Sequence, residues 1–223
     1  MIKSAYANPE YRRIAQLARP YYEYDGPNSW QHIQEVRRRA AKMVRRLAGR
    51  QLSPAEYAAI MFHDSTKRDF GGKHHAEMGA ERAAQVLAAA MQRHDLAEAT
   101  EAIAAHDSNL AKFPSRTAEL LASADANPPD LDWVLNKSYN WNIKHGLEGE
   151  DRYRYLLETL PGKYGTGGTF NYPGIYSRYY GDKVGRYRKA LDNLTVDEAR
   201  RRLGAYRARY GIGPDETRVI HNR

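Results

Sequence analysis

The chain has no cysteine, which excludes disulfides and thiolate metal sites and leaves any ion to nitrogen and oxygen donors. No segment approaches about 18 consecutive apolar residues, and the opening MIKSAYANPEYRRIAQ has no signal-peptide core. A membrane partner is therefore not expected, and a cytoplasmic protein is the default. Alternating patterns rich in β-branched residues are scarce, which argues against strands. Internal repeats and coiled-coil heptads are missing. The glycine cluster in YGTGGTF neither follows a strand nor carries Gly-Lys-Ser/Thr, which argues against a phosphate-cradling P-loop.

What is present is an ordinary globular composition, 42% hydrophobic and 28% charged over 223 residues, with a mean hydropathy of −0.79. That length suits one core with an appendage. The net charge of +8 is uneven: residues 151–223 hold 15 Lys and Arg against 8 Asp and Glu, together with 10 of the 17 tyrosines. The expected organisation is a helical core over 1–145 and a basic, tyrosine-rich extension over 146–223 that packs on or caps the core. Such an end suits phosphates or nucleic acid.

Apolar residues recur at helical spacing almost throughout, so the fold class is all-α. Ser29 can cap a helix that runs to about Ala48 and stops at Gly49. Ser53, Pro54 and Glu56 form a capping box with proline at the first helical position, opening a helix toward His63. After the GGK turn, HHAEMGAERAAQVLAAAMQ predicts another helix, and LAEATEAIAAHDS a fifth ending near Asn109. Ser115 starts RTAELLASADAN, which PPD stops. Residues 131–145, 151–160 and 195–210 also read as helical, and PGKYGTGGTFNYPG as a long loop.

Four histidines take related places in this pattern. His32 lies one turn into its helix, His63 ends the next, His75 opens another, and His106 ends the fifth. Helix ends converge at one side of a bundle, where Asp64 and Asp125 would add carboxylates. Imidazole with hard oxygen suits Mn, Fe, Co, Ni or Zn, whereas a pure calcium site wants oxygen alone. Each histidine means little by itself. His94-Asp95 and His106-Asp107 show that the His-Asp pair recurs by chance in this very chain.

The ordered series, His32 in HIQEVRRRA, His63-Asp64 after AAIMF, His75 in HAEMGAERA, His106 in AIAAHD and Asp125 in LLASADAN, resembles the HD-domain superfamily of metal-dependent phosphohydrolases. The resemblance spans about residues 20–135. It implies an HD-domain helical bundle in which His32, His63, Asp64 and Asp125 hold a divalent ion (Mn, Co, Ni, Mg, Zn or Fe). His75 and His106 would complete a second ion site bridged by Asp64, or contact phosphate. His74 is expected at the surface.

The chemistry implied is hydrolysis of a phosphate ester or anhydride by water that the ion acidifies. Lys67, one turn beyond Asp64, would offset charge growing on the phosphate, and Asp69 would orient or deprotonate water or cap the GGK turn. Trp30, just ahead of His32 in YYEYDGPNSW, offers an aromatic wall for a base or serves as a core anchor. Two departures narrow the likeness. AHDSNLAKFP replaces the GYP of cyclic-di-GMP phosphodiesterases, and Lys67-Arg68 stands where alarmone hydrolases carry Glu-Asp. What remains resembles the small nucleotidase and nucleoside-triphosphate-hydrolase branches, with a nucleotide as substrate. A di-iron oxygenase on the same fold is one rival. The other is a nucleic-acid-binding protein that uses the tyrosine- and arginine-rich extension; a second copy of the chain is a further candidate partner for that segment.

Overall fold

The structure, a computed structural model, describes residues 8–23, 29–70, 74–106, 112–126 and 128–217. The GGK turn at 71–73, residues 24–28 of the segment before Trp30, and the helix end expected near Asn109 lie outside these residues. Among the described residues there is no strand. In chain order the α-helices are α1 (Pro9–Ala18), α2 (Trp30–Ala48), α3 (Pro54–Phe62), α4 (Lys67–Phe70), α5 (His75–Leu87) and α6 (Arg93–Ala105). They continue with α7 (Arg116–Asp125), α8 (Leu131–Lys144), α9 (Gly149–Tyr164), α10 (Gly174–Tyr180), α11 (Asp182–Asp192) and α12 (Val196–Arg209), and a 3-10 turn covers Arg19–Tyr22.

The chain divides into two compact units, Met1–Ala126 with Tyr172–Tyr179, and Asn127–Asn171 with Tyr180–Arg223. Helix α8, which falls within the 1–145 core expected from the sequence, packs with α9, α11 and α12 of the second unit.

In the first unit α3 is the central helix, packed against α1, α2, α5, α6 and α7. Its sequence, PAEYAAIMF, has almost no polar side, and every residue after Pro54 is buried. A helix apolar all round belongs in a core, and full burial of Ile60, Met61 or Phe62 is worth roughly 1.5–3 kcal/mol each. The capping box forms as expected: Ser53 Oγ accepts from the Glu56 N–H at 3.1 Å, and Glu56 Oε2 accepts from the Ser53 N–H at 2.8 Å. Helix α2 buries Ile33, Val36, Ala40, Met43 and Val44, and it ends on Gly49, whose φ of 64° is a left-handed value that a side chain would strain. Ser29 occupies the N-cap position, but its hydroxyl makes no capping bond.

Two boundaries differ from the expectation. Helix α5 stops at Leu87 because the alanines after it tighten into turns, with the N–H groups of Ala90 and Met91 both bonded to the Leu87 carbonyl. Helix α6 accordingly begins at Arg93, ahead of Leu96. Helix α10 belongs to the first unit for most of its length: Ile175 is buried, and its N–H donates to Glu119 Oε1 at 2.8 Å.

In the second unit α8, α9, α11 and α12 pack together. Asp130 and Thr195 cap α8 and α12 by accepting from the N–H groups of Trp133 and Glu198. The expected loop starting at Pro161 is partly helical. Helix α9 carries Pro161 in its last turn and ends at Tyr164; α10 begins after nine intervening residues, and α11 follows it with one residue between.

Candidate metal centre

The end of α3 sets the site. His63 is the C-cap of that helix, and three successive turns follow, in which the Ser65, Lys67 and Asp69 N–H groups bond to the Phe62, Asp64 and Thr66 carbonyls. The turns are tied to α5 from two sides. Thr66 Oγ1 donates to the His75 carbonyl at 2.7 Å, and Arg82 Nη1 donates to the Ser65 carbonyl at 2.5 Å. Gly79 allows the close approach: a Cβ there would sit 3.3 Å from the His63 carbonyl oxygen and 3.4 Å from Ile103 Cγ2. His74 takes a φ of 83°, rare for a residue with a side chain, and this bend leaves His74 exposed while His75 is buried.

Six expected side chains meet in the first unit. His32 Nε2 lies 3.5 Å from Asp64 Oδ2 and 3.2 Å from Asp125 Oδ1. His63 Nε2 lies 3.7 Å from the same two oxygens. On the other side of the Asp64 carboxylate, His75 Nε2 and His106 Nε2 stand 3.4 and 3.6 Å from Oδ1. The donors form two trios, His32, His63 and Asp125, and Asp64, His75 and His106, each with its ligand atoms within 4.8 Å of one another.

Two of the rings are oriented through Nδ1 by the helices that carry them. His63 Nδ1 is 2.8 Å from the Ile60 carbonyl, and His106 Nδ1 is 2.6 Å from the Ile103 carbonyl. A carbonyl only accepts, so both Nδ1 atoms carry a hydrogen, and in the neutral ring each Nε2 is left to present its lone pair to the cluster. The Nε2 atoms of His32, His63 and His106 are buried and make no aligned hydrogen bond. An interior seldom tolerates this unless something else meets the lone pairs.

Charge completes the picture. Burial pushes the Asp64 carboxyl up, but His63, with His106 and His75, outweighs it and holds the group well below the usual carboxylate range. Asp125 behaves alike, burial being overcome by His32 and His63. The His63 ring is pushed down by burial and up by Asp64 and Asp125, with a net rise. Two ionised carboxylates in an enclosed space favour a cation.

The donor set fits a divalent ion. Ligands held at about 2.1 Å from one ion stand about 3.0 Å apart at right angles and about 3.4 Å apart at tetrahedral angles. The observed 3.2–3.7 Å separations surround the tetrahedral value and lie above the right-angle one. Imidazole with carboxylate is the chemistry of Mn, Fe, Co, Ni and Zn sites. The trios differ in access. Asp64, His75 and His106 are sealed, whereas the side chains of His32 and Asp125 are 16% and 28% exposed, so the cluster opens to solvent on the His32 side.

Lys67 stands beside the cluster, its Nζ 3.1 and 3.3 Å from the Asp64 oxygens. Asp69 and Trp30 are not among the gathered residues. Asp69 is half exposed and accepts from Arg82 Nη2 at 2.9 Å; Trp30 is half-buried with its ring 6.2 Å from that of Tyr22. Sequence reasoning did not single out Arg82, which links Ser65, Asp69 and the Tyr21 ring, its guanidinium 4.7 Å from the ring centre. Its one signal was its place seven residues after His75, on the same face of α5. No family model matches this chain, and neither a curated protein nor a solved structure matches it.

Proposed function

We propose that the protein is a metal-dependent phosphohydrolase of the HD type that cleaves a phosphate ester or anhydride of a nucleotide. The observation that carries this reading is the convergence of four imidazole Nε2 atoms on two ionised carboxylates, Asp64 buried and Asp125 partly exposed, with three of those nitrogens lacking an aligned hydrogen bond. His32, His63, Asp64 and Asp125 would hold one divalent ion, and His75 and His106, sharing Asp64, would hold a second or bind phosphate. A bound divalent ion supplies acidified water and withdraws charge from a phosphoryl oxygen.

The chain's own groups do the rest. Lys67, 27% exposed, offers an ammonium at the open edge to a phosphate oxygen that gains charge. Arg82 holds the turn that carries Lys67, through the Ser65 carbonyl and Asp69. Asp69 retains an exposed carboxylate with which to orient water. Trp30, two residues before His32, is the aromatic candidate for base contact. Because both trios are complete, the same six donors would also suit a pair of irons in an oxygenase.

The test is a screen of nucleoside mono-, di- and triphosphates with Mn, Co, Ni, Mg and Zn, following whether phosphate, pyrophosphate or triphosphate leaves. The expected result is turnover with at least one ion, falling about 100-fold in Lys67→Ala at unchanged metal stoichiometry. Turnover in no combination, or an iron-loaded protein that absorbs visible light and consumes O₂, would overturn the phosphohydrolase reading.

A further inference from the structure

Outside the metal centre the strongest unexplained feature is the outward face of α2. Residues 36–50, VRRRAAKMVRRLAGR, hold seven Lys and Arg and no Asp or Glu. The buried Val36, Ala40, Met43 and Val44 fix the helix's rotation, so Arg38, Lys42 and Arg45 form one exposed row opposite them, with exposed Arg46 beside it. At 1.5 Å per residue the row is about 10 Å long.

A basic helix is ordinarily unremarkable because its charges pair with nearby acids. Helix α12 shows this: Arg200 pairs with Glu150 and Asp197, Arg201 with Glu198, and Arg202 with Glu198 and Asp132. Helix α11, the other basic element, exposes Lys183, Arg186 and Lys189, but Asp182 stands at its start. On α2, among the described residues, no carboxylate pairs with Arg38, Lys42, Arg45 or Arg46. Arg38 Nε donates only to the Gln34 carbonyl, at 3.2 Å, and Arg46 lies over the Tyr179 ring, 5.5 Å from its centre.

Like charges one turn apart cost a helix a few tenths of a kcal/mol per pair, so this row is locally unfavourable until an anion meets it. Its shape selects a linear anion. A nucleic-acid strand carries a phosphate at every nucleotide, so four cations in a row can each meet a successive phosphate. The aromatic ring at its flank, Tyr179 under Arg46, is the companion that a single strand uses and a lipid headgroup does not.

We propose that the outward face of α2 binds the phosphate backbone of a single-stranded nucleic acid without reading its sequence. This surface is separate from the metal ligands and does not depend on the phosphohydrolase reading. The test measures binding of the full chain to a fluorescent 12-nucleotide oligomer between 50 and 300 mM salt. Four cations in contact predict a slope of log affinity against log salt near −3, at about −0.7 per phosphate. Neutralising Arg38, Lys42 and Arg45 together (R38Q, K42Q, R45Q) should flatten that slope by about 2 and leave the helical signal and the thermal midpoint in place, since all three are exposed. Neutralising Arg200 and Arg201 (R200Q, R201Q) should leave it unchanged. An unaltered slope in the α2 variant, loss instead on neutralising Lys183, Arg186 and Lys189, or binding to phosphatidylserine vesicles in preference to the oligomer would each overturn the proposal.

Discussion

The two units each bury a group of polar side chains, and they resolve the cost in opposite ways. In the second unit Arg207 is 6% exposed, yet its Nη1 donates to Asn136 and Asn140 Oδ1 at 2.8 and 3.0 Å. Its Nη2 reaches the Gly213, Pro214 and Glu216 carbonyls, and the guanidinium lies 5.3 Å from the Tyr139 ring centre. Only Nε lacks an acceptor. In the first unit the imidazoles of His32, His63 and His106 turn their Nε2 atoms toward the Asp64 and Asp125 carboxylates and make no aligned bond. A polar group closed by its own partners holds a fold together; one left open is built for a ligand. The contrast also explains why the sequence shows the first unit's group more readily. Ligands come from a short menu of residue types, whereas a structural arginine looks like any other.

The contrast can be broken first at Arg207. Arg207→Met keeps much of the volume and leaves two amide oxygens and three carbonyls without their donor, which predicts a loss of about 2–4 kcal/mol in urea unfolding. Metal affinity should stay within about twofold, because all six candidate ligands belong to the first unit. A variant as stable as the parent would show that the network is not closed as described.

A smaller effect sharpens the same point at the neighbouring position. Burial, then the charge of Tyr210, pushes the Tyr206 phenol up to about 12. Because the folded chain prefers the neutral phenol, its contribution is fully present below the ordinary tyrosine value near 10 and is lost as pH rises from there toward 12. Between pH 9 and 11 the parent should lose about 1 kcal/mol more stability than Tyr206→Phe. Parallel stability curves for the two proteins would contradict this.

Much of the site was legible because its signals are local. The Ser53–Glu56 box and Gly49 fixed two helix ends, and these ends placed His63 and Asp64 where the first turn after α3 had to carry them. Register did the rest, since His32, His75, His106 and Asp125 each sit at a helix end or within one turn of it. Helices α10 and α11 were not legible. GIYSRYY is too short to show a period, and α11 buries only Val184, Tyr187 and Leu191, a stripe hidden among lysines and arginines. Pro161 and Gly162 read as loop residues, although α9 carries both in its final turn. Asp69 shows the other limit: sequence spacing brings it near Asp64, but Arg82, 13 residues on, decides where its carboxylate points.

The most direct test of the metal centre is a calorimetric titration of the chelator-treated protein with Mn²⁺, run in parallel on Asp64→Ala. The account predicts at least one ion per parent chain and a loss of more than about 100-fold in affinity when the shared carboxylate is removed, with helical content retained. A parent protein that takes up no ion, or a variant that binds it as tightly, would contradict the account.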